Sequence, residues 1–193
     1  LMAGRLFDKL EQEAFRAGIA ARTKASMEWF RSTVSNRKVS RAALISDGPT
    51  RSAQVYGSMY NFQYDPKTKS TLPYYDRFPL CIPVQKAKGG FYGLNLHYLH
   101  PLVRAQFLDS LYDITNNDKY DRSTKFKLTY QVLKSTSRMK FFKPCLKHYL
   151  SGHIKSPLLL IEPADWEIAI FLPTESFRKV DKNTVWSESR SKF

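Results

Sequence analysis

Between Gly89 and Pro101 the side chains alternate strictly. Tyr92, Leu94, Leu96 and Tyr98 fall on one side, and Phe91, Gly93, Asn95, His97 and Leu99 on the other. A period of two over this length predicts a strand with one buried face. Gly89-Gly90 is a turn pair, so the strand reads as the second arm of a hairpin. Gly93 marks a bulge or a close backbone approach. His100-Pro101 ends the strand, because the residue before proline avoids the α region while proline suits a first helical turn. Asn95 and His97, on the less apolar side, read as a satisfied polar pair in a small core, with a functional role as the alternative.

Helical spacing dominates residues 5–34. Leu6, Phe7, Leu10, Ala14 and Phe15 form one stripe, Met27, Phe30 and Val34 a second, and Gly18 divides them. Ser35-Asn36 and Asp47-Gly48-Pro49 are breakers, and residues 35–55 read as a basic arm or a solvated loop. A core domain is expected from Val55. Tyr60, Phe62 and Tyr64 alternate as a strand, followed by the turn Asp65-Pro66-Lys67. Leu80, Ile82 and Val84 form another strand, in which Pro83 argues for an edge or a bulge. Pro101 opens a helix carrying Val103, Phe107, Leu108, Leu111 and Tyr112, which Asn116-Asn117-Asp118 stops.

Leu128, Val132 and Leu133 predict a further helix, interrupted at Phe141-Phe142-Lys143-Pro144. Cys145, Tyr149 and Ile154 predict another, beginning at Pro144. Leu158 to Ile161 reads as a buried strand. Residues 164–172 read as helix, with a strand as the alternative because Trp166, Ile168, Ile170 and Leu172 also alternate. The polar tail offers Phe177, Val185 and Trp186 as anchors. Runs of strands followed by runs of helices mean α+β. The expected plan is a helical N-terminal arm and basic linker over residues 1–54 and an α+β core over 55–193. Within the core, three antiparallel strands, joined by a fourth after the inserted helices, curl into a small SH3-like half-barrel.

Composition changes this picture in one respect above all: 31 lysines and arginines against 17 acids give a net charge of +14. A domain this basic usually meets a polyanion, whether DNA, RNA or an anionic membrane surface. A chain of 193 residues buries about 70% of its unfolded surface and needs no staples. Cys81 and Cys145 therefore read as free thiols in a reducing compartment. No apolar run approaches a membrane span, and no signal peptide is visible. Leu1 ahead of Met2 reads as a reading-frame scar and is set aside.

The charge is not evenly spread. From Arg122 to Ile161 there are nine lysines and arginines and no aspartate or glutamate. Lys134, Arg138, Lys140, Lys143, Lys147 and Lys155 form a basic block, with Arg138 one helical turn beyond Lys134. Phe141 and Phe142 lie among these charges, with Tyr130 and Tyr149 nearby. Cations neutralise phosphates, and aromatic rings stack on unpaired bases or cap a duplex end. Arg37, Lys38 and Arg41 in the arm form a second candidate contact. The bland alternative is a solvated face over a phenylalanine-containing core.

Catalytic and metal chemistry find little support. His97 and His100 are three apart, as are Cys145 and His148, but no CxxC pair accompanies them. Asp109, Asp113, Asp118 and Asp121 surround a helix end and read as capping and turn residues rather than a nuclease's metal cluster. Neither a P-loop nor a nucleophile elbow is present. No catalytic residue, metal site or cofactor is expected.

Four blocks carry a resemblance: Leu72-Pro73-Tyr74-Tyr75-Asp76-Arg77-Phe78-Pro79-Leu80, the Gly90 to Leu99 strand, Phe142-Lys143-Pro144-Cys145-Leu146-Lys147-His148-Tyr149-Leu150, and Trp166-Glu167-Ile168-Ala169-Ile170-Phe171-Leu172-Pro173. In order and spacing they resemble the DNA end protector proteins of T-even-type tailed phages. The likeness runs over roughly residues 60 to 190, and more weakly in the arm. Proline is more usual in that family where His100 stands. The resemblance implies a minor virion protein that binds the ends of the packaged linear double-stranded DNA and completes the head. It would then enter the host cytoplasm with the genome and block exonuclease attack. It assigns no individual residue. The runner-up is a structural protein of the phage neck or baseplate, whose basic faces meet acidic subunits and whose segment 56–78 is interface. A nuclease is the third reading.

Overall fold

The computed structural model describes residues 5–191. The N-terminal stripes form two helices, α1 (Leu6–Arg16) and α2 (Lys24–Val34). The chain turns between them at Gly18, whose φ of +75° glycine adopts without strain. Thr23 caps α2 reciprocally with Ser26, satisfying two helix-end donors. Phe7, Leu10, Met27, Phe30 and Val34 are buried as their spacing predicts, but Phe15 is 84% exposed. It lies outside the buried stripe that Phe7, Leu10 and Ala14 complete without it.

The stretch 35–55, expected as a basic arm or loop, is more ordered than that. It contains a Ser40-capped helix, α3 (Arg41–Asp47), and a short strand, β1 (Thr50–Arg51). Leu44 of α3 is buried in the same core as the helices and strands that follow.

The remaining strands are β2 (Met59–Asn61), β3 (Tyr75–Asp76), β4 (Leu80–Ala87), β5 (Gly90–Asn95), β6 (Leu146–Leu150), β7 (Leu158–Ile161) and β8 (Phe177–Arg178). The helices after β5 are α4 (Pro101–Thr115), α5 (Arg122–Thr136), α6 (Trp166–Ala169) and α7 (Lys182–Ser191). Six strands form one antiparallel sheet in the order β1-β7-β2-β4-β5-β6, and β3 pairs with β8 in a second, two-stranded sheet. The class is α+β. The main sheet exceeds the expected four strands because β1 comes from the presumed linker and β6 from a presumed helix.

The hairpin β4–β5 forms as its turn predicts, with Gly89 at φ +75°. Pro83 lies in a central strand, at a register shift between Pro83 and Gln85 opposite Gly93. Lacking an N–H it donates nothing, and its carbonyl accepts from Gly57 N at 2.8 Å. A Cβ on Gly93 would lie 2.3 Å from Cys81 Sγ, the close approach expected of a glycine within a strand. Gly90 is tighter still. Its Cβ would lie 1.8 Å from the Tyr149 carbonyl oxygen, in the β5–β6 ladder. Gly90→Ala is therefore expected to cost about 1–3 kcal/mol, read as a melting point lowered by several degrees. An unchanged melt would contradict the β5–β6 register.

Two expectations, one about the strand's extent and one about burial, are corrected. The strand carrying Leu94 ends at Asn95, and Leu96–Tyr98 make a 3-10 turn. The sheet is also buried on both faces rather than one. Leu80, Ile82, Val84, Leu94, Leu159 and Ile161 join the main core with the helices. Tyr60, Phe62, Cys81, Phe91, Tyr149 and Leu158 form a second, aromatic cluster. There Tyr149 meets Phe62 and Tyr64 edge to face, at 5.5 and 4.8 Å between ring centroids.

That cluster explains why residues 146–150 are a strand although Cys145, Tyr149 and Ile154 suggested a helix. Pairing with β5 places Tyr149 opposite Phe91, and burying both rings outweighs local periodicity. Segment 164–172 does begin as helix, through a 3-10 turn at Pro163–Asp165 and then α6. The tail folds too, with Val185 and Trp186 of α7 buried as anchors.

His97 and Asn95 belong to a buried polar network. The Asp76 carboxylate accepts from His97 Nδ1 at 2.7 Å, Asn95 Nδ2 at 3.0 Å, Phe78 N at 3.0 Å and Ser176 N at 2.9 Å. His97 Nε2 lies 3.1 Å from Thr174 Oγ1. Burial alone would raise the Asp76 pKa, but the His97 charge and these hydrogen bonds hold it below the usual carboxylate range. Arg104, fully buried, donates to the carbonyls of Leu99, Ile170 and His97. Burial lowers its pKa to about 10, so it stays charged at neutral pH. The Asp76–His97–Thr174 line resembles a hydrolase triad, yet the three residues are 3%, 0% and 1% exposed and meet no solvent-borne substrate. Its role is to tie β3, the end of β5 and the 174–176 segment together.

Candidate nucleic-acid interface

The basic block divides at the end of α5. That helix stops at Thr136 with Ser137 as its cap, so Arg138 lies beyond it and shares no helical face with Lys134. Lys134 instead packs over the Tyr130 ring at 5.9 Å, while the Tyr130 hydroxyl donates to Val84 O at 3.0 Å and docks α5 on β4. After α5 the chain enters the 3-10 segment Lys140–Cys145, which Pro144 permits because this tight helix is short. It then runs directly into β6.

This path brings Arg138, Lys140, Lys143 and Lys147 around one groove, with Tyr74 and Pro144 completing its wall. Arg138, Lys140 and Lys143 are exposed, and Lys147 is half-buried with Nζ 4.0 Å from the Tyr98 ring centroid. At about 650 Å³ the groove falls in the range of roughly 300–1,000 Å³ typical of ligand clefts. Four cations wall it, and no carboxylate is among the described residues that line it. Burial, with Glu188 beside it, pushes the Tyr74 phenol up to about 12, so it stays a neutral hydrogen-bond donor. Phe142 packs inward against Phe107 at 5.2 Å, and Phe141 is 37% exposed against Phe142 at 5.0 Å. The phenylalanine pair thus supplies one core ring and one surface ring.

A second hollow gathers Arg41, Arg77, Lys155 and Arg178. Lys155 therefore lies apart from the block it belongs to in sequence. Arg41, expected on an arm, is fixed by Nε donating to Thr174 O at 2.7 Å and Nη2 to Glu175 O at 2.6 Å. Arg77 and Arg178 were missed by sequence reasoning. They lie far apart in the chain and meet because β3 pairs with β8, Tyr75 opposite Arg178. The other two arm residues lie elsewhere. Arg37 pairs with Glu13 at 2.8 Å, and Lys38 lines a separate hollow between α1 and α3.

Among the described residues, no group of three or more His, Cys, Asp or Glu is arranged to hold a metal ion. Cys81 and Cys145 are buried free thiols. Burial pushes Cys145 up to about 12 and raises Cys81 as well, so neither is a ready nucleophile. His148 is exposed, with Nε2 2.9 Å from Lys88 O and its ring tilted over Tyr92. No helix is long and apolar enough to cross a membrane among the described residues.

What the groove and the hollow offer is fixed positive charge suited to phosphate oxygens, with tyrosine and phenylalanine rings at their margins. No curated protein and no solved structure matches the chain. Residues 2–190, nearly the whole chain, match the model of the phage T4 terminal DNA protecting protein, and the chain belongs to that family.

Proposed function

We propose that this protein binds the ends of the packaged linear duplex as a component of the phage particle, completes the head, and shields the ends from host exonuclease once the genome reaches the cytoplasm. It acts by occupancy and needs no turnover. The observation that carries this reading is the convergence of Arg138, Lys140, Lys143 and Lys147 on one groove with no carboxylate among the described residues that line it, in a chain of net charge +14. Such a surface supplies affinity for the DNA backbone without reading sequence, as a protein that must accept any terminal base pair requires.

Family membership supports the terminal part of the reading, and the virion setting with it. The portal or neck proteins are the partners that a head-completing role implies. The test is a linear duplex preincubated with the protein and then exposed to a processive double-strand exonuclease. The expected result is full-length DNA surviving at protein concentrations that coat only a small fraction of the duplex. Digestion at the uninhibited rate, with the protein demonstrably bound, would overturn the shielding role.

A further inference from the structure

The hollow of Arg41, Arg77, Lys155 and Arg178 differs from the groove in its construction. At about 270 Å³ it lies below the range of organic-ligand clefts, so it suits a small group. Its wall is anchored in the core. Thr174 and Glu175, whose carbonyls hold Arg41, adjoin Ser176, whose N–H donates to the buried Asp76. Arg77 N donates to Ser176 O at 2.9 Å, and Lys155 N to Gln63 O at 2.8 Å. One acid, Asp65, lines the hollow, and it is paired with Lys69 at 2.9 Å. Four cations held on a fixed frame, three of them arginines, make a site for an oxyanion rich in acceptors.

The hollow is also linked to the basic groove through shared lining residues. Tyr64 lines both the hollow and an intermediate cleft, and Tyr74 and Lys147 line both that cleft and the groove. A phosphate in the hollow would therefore have the rest of its strand led towards Lys147.

We propose that this hollow holds the terminal 5′ phosphate of the DNA, so that the protein senses the chemical end of a strand and not merely a stretch of backbone. This rests on the end-binding function proposed above. The shared chemistry is a phosphate group, with two sources. An internal phosphodiester carries one negative charge, whereas a terminal phosphomonoester carries about −1.5 to −2 at pH 7 and has three strong acceptor oxygens. A hollow of four cations favours the second.

The experiment is a competition at fixed salt, using the full chain and three DNAs of one sequence: a blunt duplex with 5′ phosphates, the same duplex with 5′ hydroxyls, and a covalently closed circle. The expected order is phosphorylated ends roughly tenfold tighter than hydroxyl ends, equivalent to one or two charge-assisted hydrogen bonds, and hydroxyl ends tighter than the circle. In Arg77→Gln/Arg178→Gln, two exposed substitutions, the two linear duplexes should bind alike and still beat the circle. Equal binding of phosphorylated and hydroxyl ends by the wild-type protein, with both preferred over the circle, would overturn the hollow's assignment and leave end binding standing. A preference for phosphate that persists in the double variant would overturn its placement here. No preference for either linear form would overturn end binding itself.

Discussion

Replacing Arg138, Lys140 and Lys143 together by glutamate is expected to weaken DNA binding severely while leaving the fold intact. All three side chains are exposed around the groove, and none belongs to the buried core. Lys147 is left in place because it packs against Tyr98 at 4.0 Å. Each phosphate contact contributes about 0.9 to the slope of log affinity against log salt, so the slope should flatten by about 3. Reversal also adds repulsion from the phosphates, and the affinity near 0.1 M salt should fall on the order of a hundredfold or more. Filter binding across a salt series, with a melting curve as the folding control, reads both. Wild-type affinity in a folded triple variant would remove the groove from the account.

The second large effect concerns stability. Asp76→Asn keeps the volume of the side chain but removes the charge that faces His97, and puts an amide among four donors. An amide cannot accept from all four donors, and each buried donor left unsatisfied costs about 1–3 kcal/mol, so the melting temperature should fall by several degrees or more for a chain of this size. The pH dependence has a definite sign. Asp76 is held below its ordinary carboxylate range in the fold, so its contribution is complete above an unfolded pKa of about 3.9. It is lost as the pH falls from there through the lower folded value. Wild-type protein should therefore lose stability below about pH 4, and the variant should lose less over the same interval. A variant that melts with the wild type at pH 7 would show that the network is not what ties β3, β5 and the 174–176 segment together. Because Ser176 and Thr174 also frame the Arg41 hollow, the same variant should weaken any preference for phosphorylated ends.

How far the sequence could be read depended on whether a signal was local. The Gly89 turn, the Pro83 bulge, the Gly93 close approach and the His100-Pro101 helix start are each decided within a few residues, and each is found where the sequence puts it. The second core was not legible. Tyr60, Phe91 and Tyr149 come from three separate strands, and nothing in the 91–99 alternation says that its second face is covered as well. For the same reason residues 146–150 passed for helix: their partner is β5, some fifty positions earlier.

The candidate interface shows the same division. Arg138, Lys140, Lys143 and Lys147 are close in sequence and close in space. Arg77 and Arg178 meet through a two-residue strand pair about a hundred positions apart, and no local signal joins them. Asn95 and His97 were legible as a polar pair. Their partner Asp76 and its ties to the 174–176 segment were not.

On the function proposed above, positive charge is organised for the end of a duplex rather than for duplex in general. The most direct test of that function is competitive binding at fixed moderate salt between a linear duplex and a covalently closed circle of the same sequence and length. The expected result is a clear preference for the linear form, saturating at a small number of molecules per DNA and independent of duplex length. Equal, weak binding to both forms would contradict it. The basic surface would then be generic, as in a neck or baseplate protein whose cations face acidic subunits.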